Sequence, residues 1–272
     1  MLLTGIGIGK DANLAYRIYS NLADEGSLIA LTEVANCYLN EYGVQQNRKI
    51  AFELYLKSAE KGLPVAQSMV GWCYIDGIGI PKDAAKGFQW YMKSALAGNI
   101  GAIRNVGCCY DIGIGVNKNY QEAFGWFLQA AEKGELTAQN YLGEYYENGY
   151  GVNKKQKRAL EWYRKAAECN DIYGQYMVGK CFYEGRGANQ DILSAIYWLN
   201  KSKENGSIDA NSMGKIWSTM KYTKADVYSF GIVTNEINND LNLKINNELR
   251  PRIPFYIPKL ISREIQMLAT HF

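Results

Sequence analysis

The sequence predicts an all-α fold: an α-solenoid of 36-residue helix-turn-helix repeats, followed by a short C-terminal segment that does not repeat. Three observations predict it. A glycine-rich turn returns at a fixed step, columns of alanine and glycine return at the same step, and aromatic columns keep register with both. Such periodicity marks stacked repeats, in which no unit buries its apolar face alone and neighbours supply the core.

The turn comes first in the chain. "GIGIGK" at residues 5 to 10 looks like a phosphate-binding loop, yet such a loop occurs once and this one recurs. Further copies are "GIGIPK" from Gly77, "GIGVNK" from Gly113, "GYGVNK" from Gly149 and "GRGANQ" from Gly185. Counting by 36 from Gly5, the first glycine is lost at Glu41. The second is kept at Gly7, Gly43, Gly79, Gly115, Gly151 and Gly187. The Lys-Ser/Thr ending that would hold magnesium is missing, and Asp11 follows Lys10 where a carboxylate repels phosphate. A structural turn therefore replaces the nucleotide reading.

The helices on either side follow the same period. The first helix of a unit carries the columns Ala30, Ala66, Ala102, Ala138, Gly174, Ala210 and Ala35, Gly71, Gly107, Gly143, Gly179. Its aromatic column is Tyr38, Tyr74, Tyr110, Tyr146 and Phe182. In "AQSMVGWCY" the small and apolar residues recur at three- and four-residue spacing, one buried helical face. The second helix, "KGFQWYMKSALAG", carries Ala15, Ala51, Gly87, Ala123, Ala159, Ala195 and then Tyr19, Tyr55, Tyr91, Phe127, Tyr163, Leu199. Its Trp90, Trp126, Trp162 and Trp198 recur in register and read as core. Gly26, Gly62, Gly98, Gly134 and Gly206, with Asn170 standing in once, suit the left-handed position that ends a helix.

These units resemble Sel-one-like repeats, relatives of the tetratricopeptide repeat. The likeness rests on the "A-x-x-x-x-G-x-x-Y" first helix, the "G-x-G-V" turn and "ALEWYRKAAECN" at residues 159 to 170, and it covers about residues 1 to 214. The resemblance implies a right-handed α-superhelix that holds other proteins in signalling and quality-control assemblies, with no chemistry of its own. The expected organisation is a partial first repeat at 1–26 (second helix only), five full repeats at 27–206 and a partial sixth at 207–217. The first unit lacks its first helix, so its open face is an expected place for self-association, unless the chain is a fragment.

Beyond Ala210 the register fails, with Gly214 one residue early and Lys215 in the glycine column. Residues 218–272 form a tail of different character, expected to be partly irregular because Pro251, Pro254 and Pro258 forbid a continuous helix. "YTKADVYSFGIVTNEI" (222–237) resembles the central helix of the protein-kinase large lobe, and "LRPRIPFYIPKLI" (249–261) a later segment of tyrosine-kinase-like enzymes. The resemblance rests on Asp226, Tyr228, Phe230, Gly231, Arg250 and Pro251, and implies that Asp226 matches an acidic residue bracing a catalytic loop. No Gly-rich loop with its strand, V-A-I-K lysine, H-R-D or D-F-G accompanies it, so phosphoryl transfer is not expected.

Composition narrows the function. A net charge of +3 gives no footprint for nucleic acid, and the run "KKQKR" at 154–158 reads as a solvated helix start. No apolar stretch is long enough to span a membrane, and "MLLTGIGIGKD" lacks a secretory pattern. The six cysteines form no C-x-x-C pair, and Cys37, Cys73, Cys109 and Cys181 lie at multiples of 36, so they read as reduced thiols in the cytoplasm or nucleus. His271 is the only histidine and is penultimate, which disfavours a catalytic triad or histidine metal site. Neither cofactor, metal nor catalytic residue is expected.

A scaffold binds along whatever stacking leaves free. On the first helix, the columns that change freely begin at residues 32, 36 and 39 and share one face. They are expected to point outward, offering Ser68, Trp72, Ile75, then Arg104, Cys108, Asp111, then Asn140, Glu144, Glu147, then Tyr176, Lys180, Tyr183. Trp72 is the sharpest candidate contact, with packing against an adjoining first helix as its competing role. Nothing nearby activates Cys108. The expected function is a non-catalytic scaffold or adaptor for a protein or peptide in signalling; the alternative is a fragment of a larger repeat-plus-kinase protein.

Overall fold

The computed structural model describes residues 11–206. They form α1 (Ala12–Asp24), α2 (Leu28–Asn40), α3 (Arg48–Glu60), α4 (Pro64–Asp76), α5 (Ala84–Leu96), α6 (Ile100–Ile112), α7 (Tyr120–Glu132), α8 (Leu136–Asn148), α9 (Gln156–Glu168), α10 (Ile172–Glu184) and α11 (Ile192–Glu204). Even-numbered helices are the first of each repeat (A helices) and odd-numbered ones the second (B helices). Each helix packs on the one before and the one after it in sequence, which makes an all-α solenoid. Among the described residues no helix is long and apolar enough to cross a membrane. The kinase-like residues Asp226, Tyr228, Phe230, Gly231, Arg250 and Pro251, like the partial sixth repeat, lie outside the described residues.

Local chemistry starts and stops the helices. Asp11, Ser27, Asn47, Asp83, Asn99, Asn119, Asp171 and Asp191 accept hydrogen bonds from backbone N–H groups that the first turn leaves open. Pro64 opens α4, where its missing N–H costs nothing. Each A helix ends on a left-handed residue: Gly77, Gly113, Gly149, Gly185 and, in the first pair, Glu41 with φ 60°. B helices end on the glycines foreseen from the sequence, and Asn170 takes the same conformation at φ 62°.

The two glycines of the turn do different work. A Cβ at the first would meet ordinary neighbours at Gly113 and Gly149, and at Gly77 only the flexible Lys82 side chain at 2.7 Å, which can move, so backbone dihedral is the main reason for glycine there. That is why Glu41 is tolerated. At the second glycine a Cβ would collide with backbone: Gly43 with the carbonyl of Ala12, Gly79 with Arg48, Gly115 with Ala84, Gly151 with Tyr120 and Gly187 with Gln156. Each of those carbonyls belongs to the first residue of the preceding repeat's B helix. The turn thus seats each repeat on its predecessor.

Packing within and between repeats follows from the columns. Within a repeat, the glycine column of the A helix lies under the large column of the B helix, and a Cβ on Gly71, Gly107 or Gly179 would come to 2.7 Å from Tyr91, Phe127 or Leu199. Ser58, Ser94 and Ser202 are buried and donate to the first carbonyls of their own A helices, Leu28 (3.0 Å), Pro64 (2.6 Å) and Ile172 (2.9 Å). Between repeats, B-helix aromatics meet the tyrosine column edge to face: Tyr16–Tyr38, Phe52–Tyr74, Phe88–Tyr110 and Phe124–Tyr146, at centroid separations of 5.9, 5.5, 5.4 and 5.5 Å. Such geometry adds roughly 1 kcal/mol per pair beyond area burial.

The tryptophan column corrects an expectation. Trp162 and Trp198 are buried, but Trp90 and Trp126 are only half-buried. The column lies at the margin of the B helices, where lysine ammonium groups cover Trp90, Trp162 and Trp198 at 4.8, 3.6 and 5.4 Å from the ring centres. Recurrence here marks a covered edge rather than depth.

These contacts order three glycine-site substitutions. In urea melts, Glu41→Gly should stabilise the chain by about 1 kcal/mol, since it relieves a left-handed non-glycine residue. Gly77→Ala should cost about 1 kcal/mol for the same reason, and Gly79→Ala about 3 kcal/mol because strain and collision combine.

Buried thiols set an alkaline limit. Burial pushes Cys73 and Cys109 up to about 12 and Cys181 up to about 11, from an ordinary value of 9.0. The folded chain therefore holds these protons more tightly than the unfolded chain. Their contribution is complete below the unfolded value and declines as pH rises through the folded values. The urea midpoint should fall between about pH 9 and about pH 11, and less steeply in Cys73→Ala.

Candidate protein-binding face

The freely changing columns of the A helices do form one stripe, but stacking uses part of it. In the first column, Thr32 and Asn140 are buried, and Ser68, Arg104 and Tyr176 are half-buried. Asn140 is 6% exposed because its amide donates to Asp171 Oδ1 at 2.7 Å. Asp171 caps the next A helix, α10. One repeat earlier, Arg104 makes an ion pair of 3.3 Å with Glu135, the cap of α8. The outward placement expected for Asn140 is thus corrected: this column ties one A helix to the start of the next.

The second column keeps more freedom. Trp72 is half-buried and packs against two core clusters, one built from α2 to α4 and one running on from α5, so part of its ring is used in packing. Cys108 is half-buried, and burial pushes its thiol up, leaving it unreactive. Glu144 accepts from the Tyr173 hydroxyl at 2.6 Å, and Lys180 is half-buried.

In the third column Ile75 lies against Gly87 of its own repeat. Asp111 accepts from Tyr145 at 2.5 Å, and Glu147 accepts from Tyr163 at 2.9 Å while pairing with Arg186. Tyr183 is half-buried. Burial raises the Tyr145 and Tyr163 hydroxyls, with Asp111 adding to the first and Glu144 to the second. Both hydroxyls stay protonated donors.

Two residues of this face were not singled out from the sequence. Tyr141 stacks on Phe127 (centroids 4.5 Å, planes 14° apart) and is pushed up to about 12 by burial, then by Cys108. Tyr173 is 43% exposed beside Glu144. Their columns change as freely as those selected (Glu33, Met69, Asn105, Tyr141, Met177 and Ile29, Val65, Gly101, Thr137, Tyr173), so variation was the available signal. Among the described residues no group of three His, Cys, Asp or Glu is placed to hold a metal ion.

The repeated geometry has a family. The Sel1 repeat model matches residues 1–27, 28–63, 64–99, 100–135, 136–171 and 172–207. The chain belongs to the Sel1 repeat family. It is similar to a Sel1 repeat protein from Oxalobacter formigenes, with 33% identity and a TM-score of 0.68, covering 78% of this chain and 88% of that one. It is also similar to c5321, a protective antigen of uropathogenic Escherichia coli with an SLR fold (32% identity, TM-score 0.69, 76% of this chain). The chain spans 44% of the length of that antigen. The immunity protein Pa5087 from Pseudomonas aeruginosa shares the fold at 20% identity and a TM-score of 0.51. No curated protein matches. Sel1 repeat proteins are in general protein-interaction scaffolds.

Because Trp72 is half-buried against two core clusters, Trp72→Ala should cost about 2 kcal/mol in a urea melt, less than a fully buried tryptophan. Lys180→Ala, at a site with no ion pair among the described residues, should change stability by under about 0.5 kcal/mol.

Proposed function

We propose that this chain is a non-catalytic scaffold or adaptor that holds a protein or peptide against the A-helix stripe, as part of a signalling assembly. One observation carries the reading: side chains from successive A helices vary in type and stay partly exposed, on a frame whose turn glycines, helix crossings and caps repeat. A frame of this kind presents changing contacts at a constant spacing, which suits an extended partner. The cysteines are free thiols, four of them buried, which fits work in a reducing compartment, the cytoplasm or nucleus. α1 supplies a second surface: Leu14, Ile18 and Leu22 are exposed on one face of it, where self-association could occur.

A second reading, that these repeats are one part of a longer repeat-plus-kinase protein, draws on the motif at 222–237. A transcript running on into an intact kinase lobe supports it, and none in any tissue or condition removes it.

Affinity capture from native lysate, comparing wild type with Trp72→Ala/Lys180→Ala/Tyr183→Ala at matched helicity, tests the scaffold reading. The triple variant should lose a specific partner at least about tenfold, as truncated interface anchors do. Equal recovery of every partner places binding elsewhere.

A further inference from the structure

The charges of this solenoid are sorted by helix. The five A helices carry six carboxylates, Glu33, Asp76, Asp111, Glu144, Glu147 and Glu184, against only Arg104 and Lys180. The B helices are the reverse, with twelve Lys and Arg against eight Asp and Glu. Stacking does not call for this division, because the interhelical contacts are made by glycine, alanine and aromatic columns.

The cations on the acidic side are largely spent. Arg104 is held by Glu135, and Arg186, from the turn after α10, is held by Glu147 and Glu184. Asp111 and Glu144 are different: among the described residues neither has a Lys or Arg within ion-pair distance. Each accepts one tyrosine hydroxyl, through Oδ1 of Asp111 and Oε1 of Glu144. Their second oxygens have no donor among the described residues. Tyr141 lies near both carboxylates and Tyr173 beside Glu144, so aromatic faces border the same charges. Asn140, nine-tenths buried and one turn before Glu144, leaves its Oδ1 with no donor at all. The open oxygens here are acceptors, and the nitrogens nearby that lack a hydrogen bond, Arg104 Nε and Arg186 Nε and Nη2, belong to cations already held in ion pairs. What is missing is a donor, and one that carries positive charge.

We propose that the stripe around Asp111 and Glu144 recognises a basic peptide segment, placing a lysine or arginine side chain between the two carboxylates and against the tyrosine rings. The assignment rests on, and sharpens, the scaffold reading. Ammonium and guanidinium groups donate to carboxylates and are attracted to aromatic faces, whereas an acidic segment meets repulsion along most of the A helices. Lys180 is the one cation on the stripe that no ion pair holds among the described residues, and it opposes such a ligand.

The test uses the full chain and two labelled peptides, one alternating lysine with leucine and one alternating glutamate with leucine, read by fluorescence anisotropy. The lysine peptide should bind, and more weakly as salt is raised. Asp111→Asn/Glu144→Gln keeps the tyrosine hydrogen bonds and removes both charges, and should weaken binding about tenfold. Lys180→Glu should tighten it by about threefold, a gain that misfolding cannot produce. Lysine-peptide binding that ignores all three substitutions overturns the site. If the glutamate peptide binds instead, and loses binding in Trp72→Ala/Lys180→Ala/Tyr183→Ala, the basic specificity is wrong while the scaffold face stands. Binding of neither peptide overturns the proposal.

Discussion

The closest backbone approach between successive repeats, the second turn glycine against the first carbonyl of the preceding B helix, is the constraint on which the rest of the solenoid depends. With a Cβ at Gly79 or Gly115 the turn could not approach the carbonyl of Arg48 or Ala84, whatever its dihedral angles. The approach fixes where the A helix sits relative to the preceding B helix. From that placement follow the edge-to-face pairs such as Phe88–Tyr110, whose partners come from different repeats. Glycine at this position answers two demands together, a left-handed backbone and no side chain, and no other residue meets both.

The A-helix face inherits its regularity from this contact and its character from what is left over. Asn140 and Arg104 show how the two interleave, since each stands in a variable column yet reaches the cap of the next A helix. Glu144, Asp111 and Lys180 lie one or two turns further on and are freer. Likeness to the Oxalobacter formigenes protein extends over most of both chains and accounts for the frame. The distribution of carboxylates and tyrosines over that frame gives the face its chemistry.

Much of the fold was legible because a period of 36 residues compares the chain with itself. The turn glycines, the closing Asn170 and the glycine-over-tyrosine crossings all appear as columns before any coordinates. Depth was harder to read. Trp90 and Trp126 recur as faithfully as Tyr55 and Phe127, yet a lysine stem can complete the cover of an indole at the edge, and a column does not reveal which cover is used. Variation was an equally imperfect guide to exposure, because a cap can be reached by asparagine or by arginine, and both count as change. Tyr141 and Tyr173 were missed for a simpler reason: their columns flank the three chosen and vary just as much. The aromatic column Tyr16, Phe52, Phe88 and Phe124 stands directly beside the alanine column at Ala15 and could have been read with it.

The seating of each turn on the helix before it also bears on how such an array responds to load. Helices pack mainly on their sequence neighbours, so tension applied along the chain meets a series of similar small locks rather than one shared core. Rupture of one lock frees a single repeat and leaves its neighbours seated. The array should therefore lengthen stepwise, one unit at a time.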